Sequence, residues 1–155
     1  MSGPFPFPHR IRRPLDHYAN SELRFHITIN AHPEIARWPD NVGNSIWRIV
    51  QEQRGAGRVE LFAACLMPDH LHLLLRPDGM DVIRFVNVWK SWTTTAAWKL
   101  GHRGPLWQPG MWDRTIRDPA DFDSTVDYIV HNPRAVGLVE EAREWPWSWA
   151  WFWDD

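Results

Sequence analysis

Between residues 24 and 30 apolar and polar side chains alternate one by one, with Phe25, Ile27 and Ile29 on one side and His26, Thr28 and Asn30 on the other. A period of two is that of a β-strand with one buried face. The alternation returns over 58–67, where Val59, Leu61, Ala63 and Cys65 fall together. It returns again over 70–76, where Leu71, Leu73 and Leu75 oppose His70 and His72. Pro68-Asp69 reads as the tight link between these two strands. Elsewhere the period lengthens to that of a helix. Asn44 or Ser45 is expected to cap a helix carrying Ile46, Ile49 and Val50 that ends near Gly55 and Gly57. Asp81 opens a longer helix with its stripe at 82, 85, 86, 89, 93, 96, 97 and 100, stopped by Gly101. Lys90 and Lys99 fall off that stripe and are expected to face solvent or a ligand.

Residues 106–117 contain Pro109-Gly110, a turn between two short extended pieces. A last amphipathic helix starts at about Pro119 and turns Phe122, Val126 and Ile129 inward. It is expected to end near Asn132, because Pro133 disfavours helical backbone in the residue before it. The order β-α-β-β-α-β-α suits an α+β fold, the ferredoxin-like split β-α-β antiparallel sheet. In that topology the first and third strands are central neighbours. Their apolar sides pack under two helices on one face, and the last helix, which carries Tyr128, can cover the other. His26, Thr28, His70 and His72 then share the face beneath it.

Both ends depart from this patterning. Pro4, Pro6, Pro8 and Pro14 mark residues 1–22 as an extended arm, with a basic cluster at His9, Arg10, Arg12 and Arg13. Trp145, Trp147, Trp149, Trp151 and Trp153 recur at every second position, which would place five indoles on one side of an extended segment. Such a row can stack on nucleobases, or it can plug the sheet or a dimer contact.

Composition narrows the setting. At 155 residues, 44% hydrophobic and 23% charged, the chain has the size and balance of one globular domain. No apolar run is long enough for a membrane span, and the N-terminus lacks a signal-peptide pattern. A single cysteine excludes an intrachain disulfide and a Cys-based zinc site. A cytoplasmic location without membrane contact is the simple expectation. The net charge of −2 conceals a division: residues 84–117 carry a local balance of +5, and residues 118–155 one of −7. A polyanion would therefore meet the middle of the chain, although a basic solvated helix face would look the same.

His70-Leu71-His72 is the sharpest chemical feature. Two imidazoles on one side of a strand form half of a site for a divalent cation or a polarised phosphate. Tyr128 and Asn132, four residues apart on a helix, share a face; a lone helical tyrosine is usually a packing residue. His26 belongs to the same sheet face, where it could contact phosphate, orient a ligand or serve as a hydrogen-bonded structural residue.

The segments Met67-Pro-Asp-His-Leu-His-Leu-Leu-Leu75, Trp107-Gln108, Tyr128-Ile-Val-His-Asn-Pro-Arg-Ala-Val-Gly-Leu-Val139 and Trp145-Pro-Trp-Ser148 resemble the single-tyrosine HUH transposases. The likeness is greatest to the relatives associated with repetitive extragenic palindromes (REP). It spans residues 24 to 148 and implies the same ferredoxin-like fold. It also implies a metal-dependent enzyme that cleaves and rejoins single-stranded DNA or DNA hairpins through a 5′-phosphotyrosine intermediate. Carried onto this sequence, it makes Tyr128 the nucleophile and His70 and His72 the ligands of Mg²⁺ or Mn²⁺. Asn132 falls at a polar third-ligand position, often glutamine in the family; equally, it could cap a helix begun by Pro133. Lys90, Gln108, Arg114 and Arg117, with Arg12 and Arg13 of the arm, are the expected DNA contacts. The chain divides on this basis into the arm (1–22), a catalytic domain (23–140) and the Trp-rich tail (141–155). A hairpin-binding protein of the same fold without turnover is the alternative, and monomer and homodimer both remain open.

Overall fold

A computed structural model describes residues 14–154, so Arg12 and Arg13 lie outside the described residues. Five strands form one antiparallel sheet in the order β4-β1-β3-β2-β5. They are β1 (Phe25–Asn30), β2 (Val59–Met67), β3 (His70–Pro77), β4 (Trp112–Thr115) and β5 (Ser148–Ala150). The first four strands have the ferredoxin-like order, with β1 and β3 adjacent as the alternation requires. Helices α2 (Asp40–Glu52) and α3 (Val82–Lys99) cover one face, and α4 (Pro119–Ala135) covers the other.

The sheet separates two apolar clusters. Phe25, Ile27, Ile29, Leu71, Leu73 and Leu75 pack with Ile46, Val50, Phe85 and Trp89 beneath α2 and α3. Ala63, Cys65, Met67 and Leu74 meet Val126, Ile129 and Val130 of α4 on the opposite side. The strip β1 to β3 that lies beyond this second cluster is where the histidines stand.

Several local expectations are corrected. The arm is not extended throughout, since Leu15–Ala19 forms a helix, α1. Its Tyr18 is buried and donates to Asp113 Oδ2 at 3.0 Å, which fastens it to β4. Helix α2 begins at Asp40, directly after Pro39, rather than at Asn44 or Ser45. That extra turn buries Val42 and Gly43. In β2 a bulge between Leu61 and Ala63 inserts one residue. Val59 and Leu61 therefore face α2 and α3, whereas Ala63 and Cys65 face α4; the four do not share a side.

Helix α4 also continues past Asn132. Pro133 lies inside it, buried, and the helix runs to Ala135. Proline there removes one N–H donor, yet Asn132 and Pro133 are both buried and the helix carries on through them. Asn132 is thus an interior helical residue, and its capping role is excluded.

The tail is not a row of indoles on one side. Its strand β5 pairs with the edge of β2, with Trp149 opposite Ala64. Trp149 joins the α2 and α3 side, and Trp145 the α4 side. Trp145 Nε1 donates to the Leu66 carbonyl at 2.9 Å, and Trp147 Nε1 to Asn44 Oδ1 at 2.9 Å. Three of the five tryptophans thereby close the sheet edge, while Trp151 remains exposed. Among the described residues no helix is long and apolar enough to cross a membrane.

Candidate active site

Antiparallel pairing sets Thr28 opposite His72 and Asn30 opposite His70. With His26 two residues before Thr28 on β1, five polar side chains occupy one patch of the sheet. The turn that delivers His70 is held in place from outside. Trp38 Nε1 donates to the Met67 carbonyl at 2.7 Å, Trp38 N to the Pro68 carbonyl at 3.1 Å, and Ala31 N to the Asp69 carbonyl at 2.9 Å.

Within the patch the two histidines converge. His70 Nε2 lies 3.2 Å from His72 Nε2, and the Asn132 amide nitrogen lies 3.3 Å from that same atom. His70 Nδ1 is 2.8 Å from Asp69 Oδ1. A carboxylate can only accept, so the His70 proton belongs on Nδ1 and its Nε2 presents a lone pair. The bond from His70 also holds the Asp69 carboxyl below the usual carboxylate range. On its far side His72 Nδ1 faces His26 Nε2 at 3.0 Å and Thr28 Oγ1 at 3.2 Å. His72 is fully buried. Burial, helped by the neighbouring His70 and His26, pushes its pKa well down, so the ring is neutral. His26 is lowered to about 4, first by burial and then by the Arg114 charge.

Tyr128 stands over this group. Its ring is edge-on to His72 at 5.5 Å between centroids and to His26 at 5.9 Å. It is 42% exposed, so the ring borders both solvent and the His72 and His26 imidazoles. Asn132, one helical turn on, is buried on the same face.

The donor set fits a divalent cation. Two imidazole nitrogens bound at ~2.1 Å and at right angles would be about 3 Å apart, close to the 3.2 Å found between the two Nε2 atoms. Among the described residues no third His, Cys, Asp or Glu completes a metal cluster. A cation here would depend on the Asn132 amide turned to present its oxygen, on water and on a bound ligand.

The expected DNA contacts lie elsewhere and in different states. The Arg114 guanidinium donates to both Asp121 carboxylate oxygens, at 3.0 and 2.9 Å, and to Thr125 Oγ1 at 2.7 Å. It ties β4 to α4. Arg117 touches Asp121 through its backbone N–H and its Nε, with a side chain 79% exposed. Lys90 does not project freely as its place off the α3 stripe suggests: its ammonium donates to the carbonyls of Gln108, at 2.9 Å, and Gly110. It anchors the loop that carries Gln108, whose own N–H reaches the Asn30 carbonyl beside the His70 pairing. Two contributors escaped the sequence reading. In the sequence Asp69 reads only as part of the turn, although a carboxylate beside a ligand-type histidine can orient its ring. The Asp121–Arg114–Thr125 network depends on a β4–α4 contact that no local pattern contains.

The family described as "Transposase IS200 like" matches residues 19–132. The chain belongs to the IS200-like transposase family. The matched span includes the histidine pair, Tyr128 and Asn132. This family member is 32% identical over 88 residues to the REP-associated tyrosine transposase of Escherichia coli (strain K12), covering 56% of this chain and 52% of that protein. It is 32% identical over 99 residues to a Haemophilus influenzae protein provisionally given the same name, covering 56% of each. The chain thus spans about half the length of these relatives. Its fold matches that of a REP-associated tyrosine transposase solved bound to a REP hairpin, with a TM-score of 0.67 and 25% identity over 90% of this chain and 81% of that one. A transposase-type protein from Deinococcus radiodurans shares the fold at a TM-score of 0.50 and 20% identity, over 82% of this chain and 96% of that one.

Proposed function

We propose that this family member breaks and rejoins single-stranded DNA at hairpins, with Tyr128 as the nucleophile. The observation that carries this reading is the meeting, within one chain, of an accessible tyrosine ring with a pair of facing imidazole nitrogens. The phenolic oxygen attacks the phosphorus of a phosphodiester and the P–O3′ bond breaks. The products are a 5′-phosphotyrosine and a 3′-hydroxyl; the phenol's proton is lost and the departing 3′-oxygen gains one. One ester replaces another, so rejoining needs neither ATP nor water.

A phenol of pKa ~10 is a weak nucleophile near neutral pH, and the reading therefore includes a cation. His70 Nε2, His72 Nε2 and the Asn132 amide oxygen would hold it. Bound there, Mg²⁺ or Mn²⁺ supplies charge neutralisation at the phosphate and fixes its orientation for in-line attack. Asp69 and the fixed turn keep His70 pointing at that position. Arg117, whose side chain is exposed, and Gln108, on its anchored loop, would receive the DNA backbone. The hairpin in the similar solved complex supports a folded single strand as substrate.

The deciding experiment is Tyr128→Phe with a labelled palindromic single strand and Mn²⁺. We expect hairpin binding to persist and the covalent protein–DNA adduct to vanish on denaturing gels. An adduct formed by the Phe variant would sink the assignment. A second reading, hairpin binding without turnover, is favoured by Asn132, which is shorter than glutamine and turns its amide nitrogen toward His72. Wild-type protein that binds the hairpin but never forms an adduct would select that reading.

A further inference from the structure

Tyr128 belongs to a polar stripe on α4. At 3.6 residues per turn, Asp121, Thr125, Tyr128 and Asn132 fall within about 60° of one another around the helix. The apolar residues Val126, Ile129 and Val130 occupy the sector beside them. Tyr128 and Asn132 lie against His72. Asp121 and Thr125, both buried, are held by a single guanidinium. Arg114 donates to the two Asp121 oxygens at 3.0 and 2.9 Å and to Thr125 Oγ1 at 2.7 Å. Thr125 stands about one turn before Tyr128. Arg114 is also the β4 partner of His26 in the strand register, so one short stretch of sheet carries both the guanidinium and an imidazole of the site.

Apolar contact does not by itself set how α4 is rotated about its axis. Ala63, Cys65, Met67 and Leu74 give Val126, Ile129 and Val130 a seat without direction. Direction comes from hydrogen bonds, and a guanidinium presents its donors in a rigid, planar fork. Bonds from one fork to two residues a turn apart define an azimuth. A rotation of α4 by ~10° would carry an atom ~6 Å off the axis sideways by ~1 Å. A misplacement of about 1 Å can cost on the order of a hundredfold in rate. We propose that Arg114 is a positioning residue for the nucleophile: by clamping Asp121 and Thr125 it sets the rotation of α4 that places Tyr128 over the histidines. The role rests on the strand-transfer reading above and adds a residue to it. The sequence puts Arg114 among the DNA contacts, whereas in the folded chain both terminal nitrogens of its guanidinium are engaged by α4.

The test uses the full chain. Thr125→Val removes the arm of the clamp nearest Tyr128 and leaves the ion pair. Arg114→Met/Asp121→Leu replaces the ion pair by an apolar one, which keeps contact but not direction. Gly43→Ala, in α2 across the sheet, is the control for lost stability alone. One readout is the rate of covalent adduct formation at saturating hairpin with Mn²⁺, set beside the hairpin dissociation constant. The other is the ¹⁹F spectrum of metal-free protein labelled with 3-fluorotyrosine, in which Tyr18 and Tyr128 give the two signals and Tyr128→Phe assigns them. We expect the apolar pair to slow adduct formation by about tenfold or more, and Thr125→Val by about threefold, with hairpin affinity held within about twofold. The Tyr128 signal should shift in both as its ring leaves His72 and His26, and Gly43→Ala should match wild type. A folded variant with an unmoved Tyr128 signal and an unchanged rate overturns the proposal; if the apolar pair fails to fold, Thr125→Val decides. A loss confined to hairpin affinity also overturns it and makes Arg114 a DNA contact. So does an equal loss of rate in Gly43→Ala. If the wild type forms no adduct, the strand-transfer reading fails by itself, and the Tyr128 signal still decides the role of Arg114.

Discussion

The carboxylate of Asp121 accepts from Arg114 through both oxygens and from the Arg117 backbone N–H, while being almost wholly buried. The Arg114 bond is the main reason its pKa falls to about 2 from an ordinary value of 3.8. A carboxyl whose pKa is lower in the folded chain than in the unfolded one stabilises the fold above the unfolded value. That contribution shrinks as pH drops from about 4 to about 2, and below this it is gone. Asp121→Asn should therefore lower the urea midpoint clearly near neutral pH, with the gap to wild type closing under acid conditions. Melts at about pH 6 and about pH 2.5 check this; a gap that widens in acid would show that Asp121 acts in some other way. The same single-atom logic applies to His70, whose Nδ1 is held by Asp69 while its Nε2 faces His72.

At the level of elements, α2 and the tail approach each other closely at Gly43. A Cβ built on Gly43 would stand 2.2 Å from Trp147 Cη2 and 2.5 Å from its Cζ2. Gly43→Ala must push this indole away and break its bond to Asn44. We expect a loss of ~1–3 kcal/mol, typical of overpacking. In the Gly43→Ala/Trp147→Ala double variant the Gly43 substitution should cost little, and a thermal double-mutant cycle measures that coupling. Strictly additive losses would mean that the indole yields freely.

The elements differ in how much the sequence discloses. The strands β1 and β3 were legible because each alternates strictly, and their alternation also put the histidines opposite the leucines. The bulge in β2 was not legible, because Phe62-Ala-Ala-Cys-Leu66 is apolar on both faces and hides a change of phase. Nor was β5, whose tryptophans satisfy a strand and a stacking row alike. The start of α2 was obscured because Asp40 follows Pro39 without a side-chain cap. Pro133 misled in the other direction: the backbone rule it follows is real, but burial of its neighbours overrides it. Tyr128 and Asn132 could be placed on one helical face from spacing, whereas their position over His72 required the tertiary contact of α4 with the sheet.

Across the whole molecule, β1, β3 and α4 of a single chain bring the histidine pair and the tyrosine together. If cleavage uses this arrangement, each chain works with its own tyrosine. A mixture of Tyr128→Phe and His72→Ala proteins should then form no covalent adduct, because neither chain holds a whole site. Adduct formation by the mixture would show tyrosine exchange between chains. The bulge in β2 bears on the molecule in a different way. Its added residue is where the strand changes from serving one apolar layer to serving the other, and the ladder with β3 is regular on both sides of it. The strand thus holds one residue of slack. Losing a residue at Phe62 would leave Val59 and Leu61 toward one layer and Cys65 and Met67 toward the other. A length change that would invert an ordinary strand can be absorbed here, upstream of the histidines and without disturbing their register.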